Sequence, residues 1–346
     1  MKTRLAAVVG LFLLSACATL PTPVTVIATG ETGVATADAR DRPGNPTLWK
    51  GGMTRRDPGV AQDGFLASTT SGGALVIHDF QGAELQRVSG PPLHDIDVSA
   101  VPLPASYAVI VAGTETVRGR ARIGLYRLDP GERETVRRWG QIDTDMAAPR
   151  GFCMRQVDGV LIAVAMDRRG EVRQFEISEG ANGEAVSREM RRYRLDRAGE
   201  GCAIDPLSRS IYFSHARAGF WRSTVAPSAD ATPVRLVDAS ARRLPRSRGA
   251  VYLTSNRNRY LASLDQDHAA FSVWRLERDS LVWAGRFEVR EHADGRTVRS
   301  LAGLDAYGGE LGPFPDGVVV VQDQANDGTP NLKFINWTEV SRALGL

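Results

Sequence analysis

Arg150-Gly151-Phe152-Cys153 is the first of four short strand-like segments that align on a glycine. The other three are Glu200-Gly201-Cys202, Arg248-Gly249-Ala250 and Ala302-Gly303-Leu304-Asp305. The intervals between successive glycines are 50, 48 and 54 residues. Self-similarity at a nearly fixed interval indicates an internal repeat, so we expect the chain to be built from one structural unit used several times.

Each unit continues with two further segments of strand character. The first of them recurs six times, in 64–68, 107–111, 159–165, 210–214, 260–264 and 317–321. The second follows after a turn, in 74–80, 123–128, 172–177, 219–223, 271–276 and 332–337. Period-two alternation, short apolar runs and glycine-rich turns predict β-strands rather than helices.

Six such units predict an all-β fold, a six-bladed β-propeller. A sheet of three or four strands cannot bury both of its faces alone, so neighbouring sheets must stack, and closing them into a ring protects their edges. A two-sheet sandwich would not require this repeat interval. The glycine-aligned strands would be innermost and would line the central channel, whose loop ends are the expected ligand site.

The composition agrees with a single large repeat-built domain. The chain has 346 residues, of which 42% are hydrophobic, and a formal net charge of +3. A chain of this length and apolar content can bury a substantial core. Because the charge is nearly balanced, there is no electrostatic case for a nucleic-acid partner.

The N-terminus predicts export. Residues 1–16 combine basic residues with an apolar run, which is too short to be a permanent membrane span, and are interpreted as a signal peptide. Leu14-Ser15-Ala16-Cys17 resembles the lipobox of bacterial lipoproteins, which makes Cys17 the predicted lipidation site. A plain secretory signal with an incidental cysteine is the alternative. We therefore expect an exported lipoprotein, facing the periplasm or in the outer membrane, without a transmembrane helix in the mature chain.

A spacer and the approach to the first strand are predicted over residues 17–44, and the propeller over residues 45–346. Several segments of this region, in the right order, resemble the β-propeller phytases. They are 31–36, 45–49, 151–154, 170–176, 200–203, 311–315 and 331–337. The resemblance runs almost to the C-terminus and implies the same fold.

Members of that family are calcium-dependent phosphatases that hydrolyse phytate, and their carboxylates hold Ca²⁺ at one end of the channel. The resemblance therefore implies Ca²⁺ as a cofactor and phytate as the substrate. Glu200 and Asp305 match catalytic and metal-binding positions of the family. Hard cations need many oxygen ligands, and two carboxylates do not supply a cluster of calcium ions.

Other functional positions of the family are replaced by arginine. Arg246 and Arg248 fall on two acidic positions, Arg168 on a lysine and Arg150 on a tyrosine. Guanidinium groups bind phosphate or carboxylate directly through paired hydrogen bonds, so these four arginines are predicted to bind a phosphorylated or otherwise anionic small molecule. The alternative is that they are solvated loop residues.

Further acidic residues have two interpretations each. Asp323 and Asp327 flank an oxygen-rich loop after the last inner strand and are predicted to hold one structural Ca²⁺, although a solvated turn explains them equally well. Asp95 and Asp97 are spaced as two residues on one face of a strand. Lining the channel and stabilising a turn are both open for this pair.

Two functions from different classes remain open. The first is a phytase-type phosphatase, and the second is a catalytically inactive envelope lipoprotein that binds an anionic ligand or a protein partner through an arginine-rich channel mouth. In either case we expect a monomer. Cys153 and Cys202 lie in neighbouring blades, but their offset by one residue relative to the aligned glycines predicts opposite side-chain directions and argues against a disulfide.

Overall fold

The described part of the chain is all-β, with one short helix near the C-terminus. The computed structural model describes residues 20–33, 42–51, 64–103, 107–129, 135–196, 199–215, 219–226, 232–236, 247–278, 280–291, 295–299, 303–324 and 330–346. The strands are β1 (Val24–Ile27), β2 (Gly30–Glu31), β3 (Pro43–Trp49), β4 (Phe65–Thr70), β5 (Ala74–His78), β6 (Glu84–Ser89), β7 (Leu93–Pro102), β8 (Tyr107–Val117), β9 (Arg120–Leu128), β10 (Arg137–Asp143), β11 (Pro149–Val157), β12 (Val160–Asp167), β13 (Glu171–Glu179), β14 (Ala185–Arg194), β15 (Gly201–Asp205), β16 (Ser210–His215), β17 (Gly219–Thr224), β18 (Val234–Leu236), β19 (Ser247–Ser255), β20 (Asn258–Asp265), β21 (Ala270–Glu277), β22 (Ser280–Arg290), β23 (Leu304–Tyr307), β24 (Val318–Asp323) and β25 (Asn331–Asn336). The helix, α1, is Trp337–Leu344.

These strands form six antiparallel blades. Blades 1 to 4 are β3–β6, β7–β10, β11–β14 and β15–β18, blade 5 is β19–β22 with β1, and blade 6 is β23–β25 with β2. The innermost strands are β3, β7, β11, β15, β19 and β23, and each contacts the innermost strands of the two neighbouring blades. Because β23 also contacts β3, the ring closes. The predicted six-bladed β-propeller is confirmed.

The residue pattern of each strand depends on the position of that strand in its blade. In blade 6 the central strand β24 is Val-Val-Val-Val-Gln-Asp and is buried throughout, because neighbouring blades cover both of its faces. In blade 3 the outermost strand β14 is Ala-Val-Ser-Arg-Glu-Met-Arg-Arg-Tyr-Arg and is largely exposed or half-buried. Strands with two covered faces therefore read as continuous apolar runs, whereas outer strands carry charge.

The core is divided among the six interfaces between blades. Six clusters of buried apolar side chains are present, one for each pair of neighbours. The cluster between blades 6 and 1, for example, joins Leu66 and Phe80 to Val320 and Phe334. Each blade therefore depends on both of its neighbours for burial, which is the physical reason for a closed ring.

The N-terminal segment supplies the outermost strands of blades 5 and 6. The predicted spacer contains β1, which pairs parallel to β22, and β2, which pairs antiparallel to β25. An ion pair between the buried Lys333 and the exposed Glu31 joins β25 to β2, and Lys333 also pairs with Glu291 at 2.9 Å. The composition of this segment concealed two short strands, because their partners lie about 260 to 300 residues further along the chain.

Helix α1 covers one edge of the interface between blades 5 and 6. The Asn336 side chain caps its N-terminus by accepting from the Thr338 amide at 3.0 Å, and Gly345 ends it in the left-handed conformation. Trp337 and Val340 are buried against blades 5 and 6. Within the described part of the chain, helices are too short and too polar to cross a membrane.

Candidate functional site

The channel contains a small cavity lined by all six innermost strands. Its volume is about 80 Å³, and residues from each of these strands form its walls. At one end of the channel, four of the strands begin within two residues of the aligned glycines Gly151, Gly201, Gly249 and Gly303. We call this end the glycine mouth.

The glycines allow the blades to approach closely. A Cβ atom on Gly201 would lie 2.6 Å from the Cα atom of Gly249, and one on Gly151 would lie 3.1 Å from the Cα atom of Gly201. The first distance is closer than real Cβ contacts allow, so any side chain at Gly201 would push blades 4 and 5 apart. Gly249 additionally has a positive φ of 70°. The aligned glycines therefore stack against one another, as the repeat predicts.

Cys153 and Cys202 form a disulfide between blades 3 and 4, and the sequence-based expectation against it is wrong. Their Cα atoms are 5.5 Å apart. A Cβ on Gly151 would point at blade 4, so Cys153, two residues further along the same strand, also points there. A Cβ on Gly201 would point at blade 5, and Cys202, one residue on, therefore points back at blade 3. A bond between two stacked sheets requires this offset by one residue.

Carboxylates join the blades on the other side of the channel. Asp97 Oδ2 accepts from the Met154 amide of blade 3 at 2.8 Å, and its Oδ1 accepts from its neighbour, the Val98 amide, at 2.8 Å. Asp305 is used in the same way between blades 6 and 1. Its Oδ2 accepts from the Leu48 amide at 2.7 Å, and its Oδ1 from the Ala306 amide at 2.8 Å.

The remaining contacts of this side extend the same pattern. Asp95 Oδ2 accepts from the Phe152 amide at 3.0 Å, and the Asn45 side chain donates to Asp95 Oδ1 at 2.8 Å. The Thr47 hydroxyl donates to Asp97 Oδ1 at 3.4 Å. Of the two interpretations that the sequence left open for Asp95 and Asp97, the geometry shows channel lining, combined with the joining of blades.

The enclosure of these carboxylates changes their protonation. Desolvation raises the pKa of Asp305 to about 7, and the neighbouring Asp97 charge adds to the rise. Desolvation also raises the pKa of Asp97, whereas the Arg155 charge and the amide hydrogen bonds lower it in part. At neutral pH a fraction of Asp305 is therefore uncharged. The side of the channel that looks most acidic in sequence carries less negative charge than its composition suggests.

Among the described side chains that line the cavity, Arg155 is the one arginine. It lies four residues after Gly151 on β11 and lines the cavity. Its charge acts on Asp97 and Asp305, and on the phenols of Tyr252 and Tyr307. Among the described residues, Arg155 makes no hydrogen bond or ion pair with a side chain of the protein.

The predicted catalytic residues both lie at the channel. Glu200 lines the cavity at the glycine mouth, where its carbonyl oxygen accepts from the Gly249 amide at 3.1 Å. Asp305 lies deeper, on β23. Whether either takes part in a reaction stays a prediction.

The structure describes the four predicted anion-binding arginines to different extents. Arg168 is exposed in the turn after β12, and its charge lowers the pKa of His94, which desolvation already lowers. Since His94 lines the cavity, Arg168 lies near the glycine mouth. Arg150 and Arg248 lie within β11 and β19, where only their backbone is described. Arg246 lies outside the described residues.

The predicted peripheral calcium loop is described only in part. Asp323 ends β24 as a buried side chain, 3.1 Å from the Arg296 guanidinium. Arg296 also pairs with Glu291. Asp327, the second predicted ligand, lies outside the described residues, as does the predicted lipidation site Cys17. Calcium at this loop stays a prediction.

In the part of the chain that the structure describes, the metal-ligating side chains do not fit a calcium cluster. There, no three side chains of His, Cys, Asp or Glu are grouped to hold a metal ion. In the channel, both oxygens of Asp97 and of Asp305 already accept amide hydrogen bonds. A multi-calcium centre needs more oxygen ligands than these residues leave available.

Sequence reasoning missed Arg155 and the joint role of Asp97 and Asp305. The glycine register contained a signal for one of the carboxylates, because Asp305 lies two residues after Gly303. Arg155 has no comparable signal in a sequence with many arginines. Its importance follows from the convergence of six blades on one channel.

Comparison with known proteins gives a match along nearly the whole chain. A family model described as Phytase matches residues 3–346. The 3-phytase of Bacillus subtilis (strain 168) is 24% identical over 323 residues. That alignment covers 89% of this chain and 83% of the relative.

Proposed function

The chain belongs to the phytase family, and from this premise we propose that it binds a phosphorylated small molecule of the inositol phosphate class at the glycine mouth. The observation that carries the proposal is the electrostatic arrangement of the channel. The carboxylates of Asp97 and Asp305 are occupied by backbone amides, whereas Arg155 has no ion-pair partner among the described residues. Anionic groups that enter from the mouth therefore meet an available cation.

Arg168 supports the same assignment from outside the cavity. It is exposed near His94, and that histidine is mostly neutral at pH 7 because its pKa is lowered. A guanidinium at the mouth can contact the outer phosphates of a ligand whose inner phosphate points into the channel. In this interpretation binding uses guanidinium groups where the family's sequence pattern has carboxylates and metal.

A second candidate function is calcium-dependent hydrolysis of a phosphomonoester. The family match and the similarity to a 3-phytase favour it, as does the position of Glu200 and Asp305 at one channel. The described donor set speaks against it. Of the two, we favour ligand binding without the multi-calcium reaction.

One experiment separates the two functions. Purified protein is titrated with phytate by calorimetry in EDTA, and phosphate release from phytate is measured in parallel with Ca²⁺ and with EDTA. We expect saturable binding in EDTA, no binding of unphosphorylated myo-inositol and no calcium-stimulated release. Phosphate release that depends on Ca²⁺ would establish the second function instead, and no binding of phytate under either condition would refute both.

Arg168 and Arg169 provide a matched pair for the mouth. Both are exposed in the same turn, but only the Arg168 charge acts on His94 at the channel. Arg168→Gln should weaken phytate binding several-fold, and Arg169→Gln should leave it within about twofold of the parent protein. Equal effects of the two substitutions would indicate general surface charge rather than a site at the mouth.

We also propose that the protein is an exported lipoprotein that carries its acyl chains on Cys17. The order of basic residues, apolar run and lipobox-like ending supports this. Expression with radioactive palmitate should label the parent protein and leave Cys17→Ser unlabelled. Label in both proteins, or in neither, would overturn lipidation at this residue.

A further inference from the structure

Within the channel cavity, behind the glycine mouth, Arg155 forms the centre of an inner part of the proposed site. A half-buried guanidinium without an ion pair is unusual, because burial of a charge is costly unless a partner offsets it. Hydrogen bonds tie Asp97 and Asp305, which act electrostatically on Arg155, to amides of the neighbouring blades. The charge of Arg155 is therefore available to a ligand.

We propose that Arg155 anchors an inner subsite that takes a single tetrahedral oxyanion, the size of one phosphate group. The subsite deepens the proposed function, since a phosphate of a larger ligand would fill it, but its position rests on channel geometry alone. Arg155 acts here as a binding residue. It does not correspond to any of the arginines that the sequence singled out.

The size of the cavity limits the subsite to a single phosphate group. Its volume is about 80 Å³, and on the same measure one water needs about 10–15 Å³. The space therefore holds a handful of waters or one phosphate group, but not an inositol ring with its substituents. A polyphosphate would keep its ring outside the cavity and insert one arm, which places the remaining phosphates near Arg168.

The groups that face the subsite favour an anion below neutral pH. Asp97 and Asp305 face it from blades 2 and 6 and Tyr252 from blade 5, and Asp95, His94 and Glu200 lie toward the mouth. Tyr307 of blade 6 is not part of the cavity wall but is acted on by the Arg155 charge. Desolvation raises the pKa values of both tyrosines, so their hydroxyls add no negative charge at neutral pH. Protonation of Asp305 removes one negative charge from the wall.

Inorganic phosphate tests the inner subsite directly, because it can fill the cavity without needing the mouth. Binding of phosphate to the parent protein is measured by calorimetry at pH 6 and compared with Arg155→Gln, Arg155→Lys and Arg169→Gln. We expect Arg155→Gln to weaken phosphate binding by about tenfold or more, and Arg155→Lys to weaken it less because the charge is kept without the paired donors. Arg169→Gln, at an exposed arginine that does not line the cavity, should stay within about twofold of the parent protein.

The outcomes distinguish the subsite from the proposed function. Equal phosphate binding by the parent protein and Arg155→Gln would overturn the subsite, even if phytate still bound at the mouth. Phosphate binding that depends on Arg155, without any binding of phytate, would sustain the subsite and refute the proposed function. Unchanged thermal unfolding of Arg155→Lys verifies that its effect on binding is local, and loss of phosphate binding only in unfolded variants would count against the proposal.

Discussion

The two sides of the channel wall solve the same packing problem with different chemistry. On one side, which we call the carboxylate arc, Asp305, Thr47, Asp97 and Asp95 link blades 6, 1, 2 and 3 through hydrogen bonds. On the other, the glycine arc, blades 3, 4 and 5 are joined by stacked glycines and the disulfide between Cys153 and Cys202.

The difference shows which conditions each arc depends on. Hydrogen bonds from backbone amides to enclosed carboxylates are strong, but their energy depends on the protonation of the carboxylates. Close glycine packing and the disulfide do not titrate in the pH range of these carboxylates, but the disulfide depends on the redox state. One ring therefore contains a pH-dependent half and a redox-dependent half, and substitutions can address each half separately.

Loss of the disulfide should have the largest effect. The bond closes a loop with a sequence separation of 49 residues, and the chain-entropy model assigns about 4 kcal/mol to a loop of this length. Cys153→Ala combined with Cys202→Ala should lower the free energy of unfolding by about 2–4 kcal/mol, measured with urea. Treatment of the parent protein with a reductant should give a similar loss and should not change the double variant further. A double variant as stable as the parent protein would show that glycine packing alone holds the glycine arc.

Removal of one carboxylate should weaken the carboxylate arc by less. Asp97→Ala leaves the Met154 and Val98 amides without their acceptor, and each unsatisfied buried donor costs about 1–3 kcal/mol, offset in part by the removal of an enclosed charge. We expect a net loss of about 2 kcal/mol. The matched control is Ser99→Ala, which removes only the acceptor of the Gln156 amide and should cost about 1 kcal/mol. Equal costs for the two variants would mean that removal of the enclosed charge fully offsets the loss of the second amide hydrogen bond of Asp97.

Protonation of Asp305 should make the stability of the carboxylate arc depend on pH. Its pKa is raised from 3.8 to about 7 in the folded state, so its stabilising contribution is complete below about pH 4 and is lost as the pH rises to about 7. Asp305→Asn cannot titrate. As the pH rises over this range, the parent protein should therefore lose unfolding free energy relative to the variant, by at most about 1.4 kcal/mol per pH unit. The loss is smaller where channel water solvates the carboxylate.

This difference has to be measured against the variant, because His78 opposes the effect in the parent protein. Desolvation lowers the pKa of His78 from 6.5 to about 4, so its contribution rises with pH over an overlapping range. Urea unfolding of both proteins at several pH values between 4 and 8 isolates Asp305. A constant difference across that range would show that Asp305 keeps an ordinary pKa.

Calcium should have the smallest effect. Because the described donor set does not form a metal cluster, addition of millimolar Ca²⁺ or of EDTA should change the midpoint of thermal unfolding by less than about 2 °C. Differential scanning calorimetry with Mg²⁺ as the control ion measures this. A large rise specific to Ca²⁺ would point to ligands in segments beyond the described residues, Asp327 among them.

Sequence reasoning was most successful where the repeat itself carried the information. The recurring strand segments predicted the six blades, and the glycine register predicted which strands line the channel, because both depend on local pattern. It failed for Cys153 and Cys202, since alternation within a strand was applied without asking which face of each blade meets its neighbour. Arg155 and the two N-terminal strands could not be predicted, because their surroundings are assembled from residues far apart in sequence.

The pairing of β2 with β25 determines when this protein can finish folding. The two strands lie near opposite ends of the chain, and the ion pair between Glu31 and Lys333 joins residues separated by 302 positions. The ring therefore stays open during synthesis until its last blade has been delivered, and contacts of such long range make folding slow. Until β2 pairs with β25 the outer edge of blade 6 remains unpaired, so an incompletely closed ring presents it to any helper protein, or to any aggregating neighbour, that can add a strand.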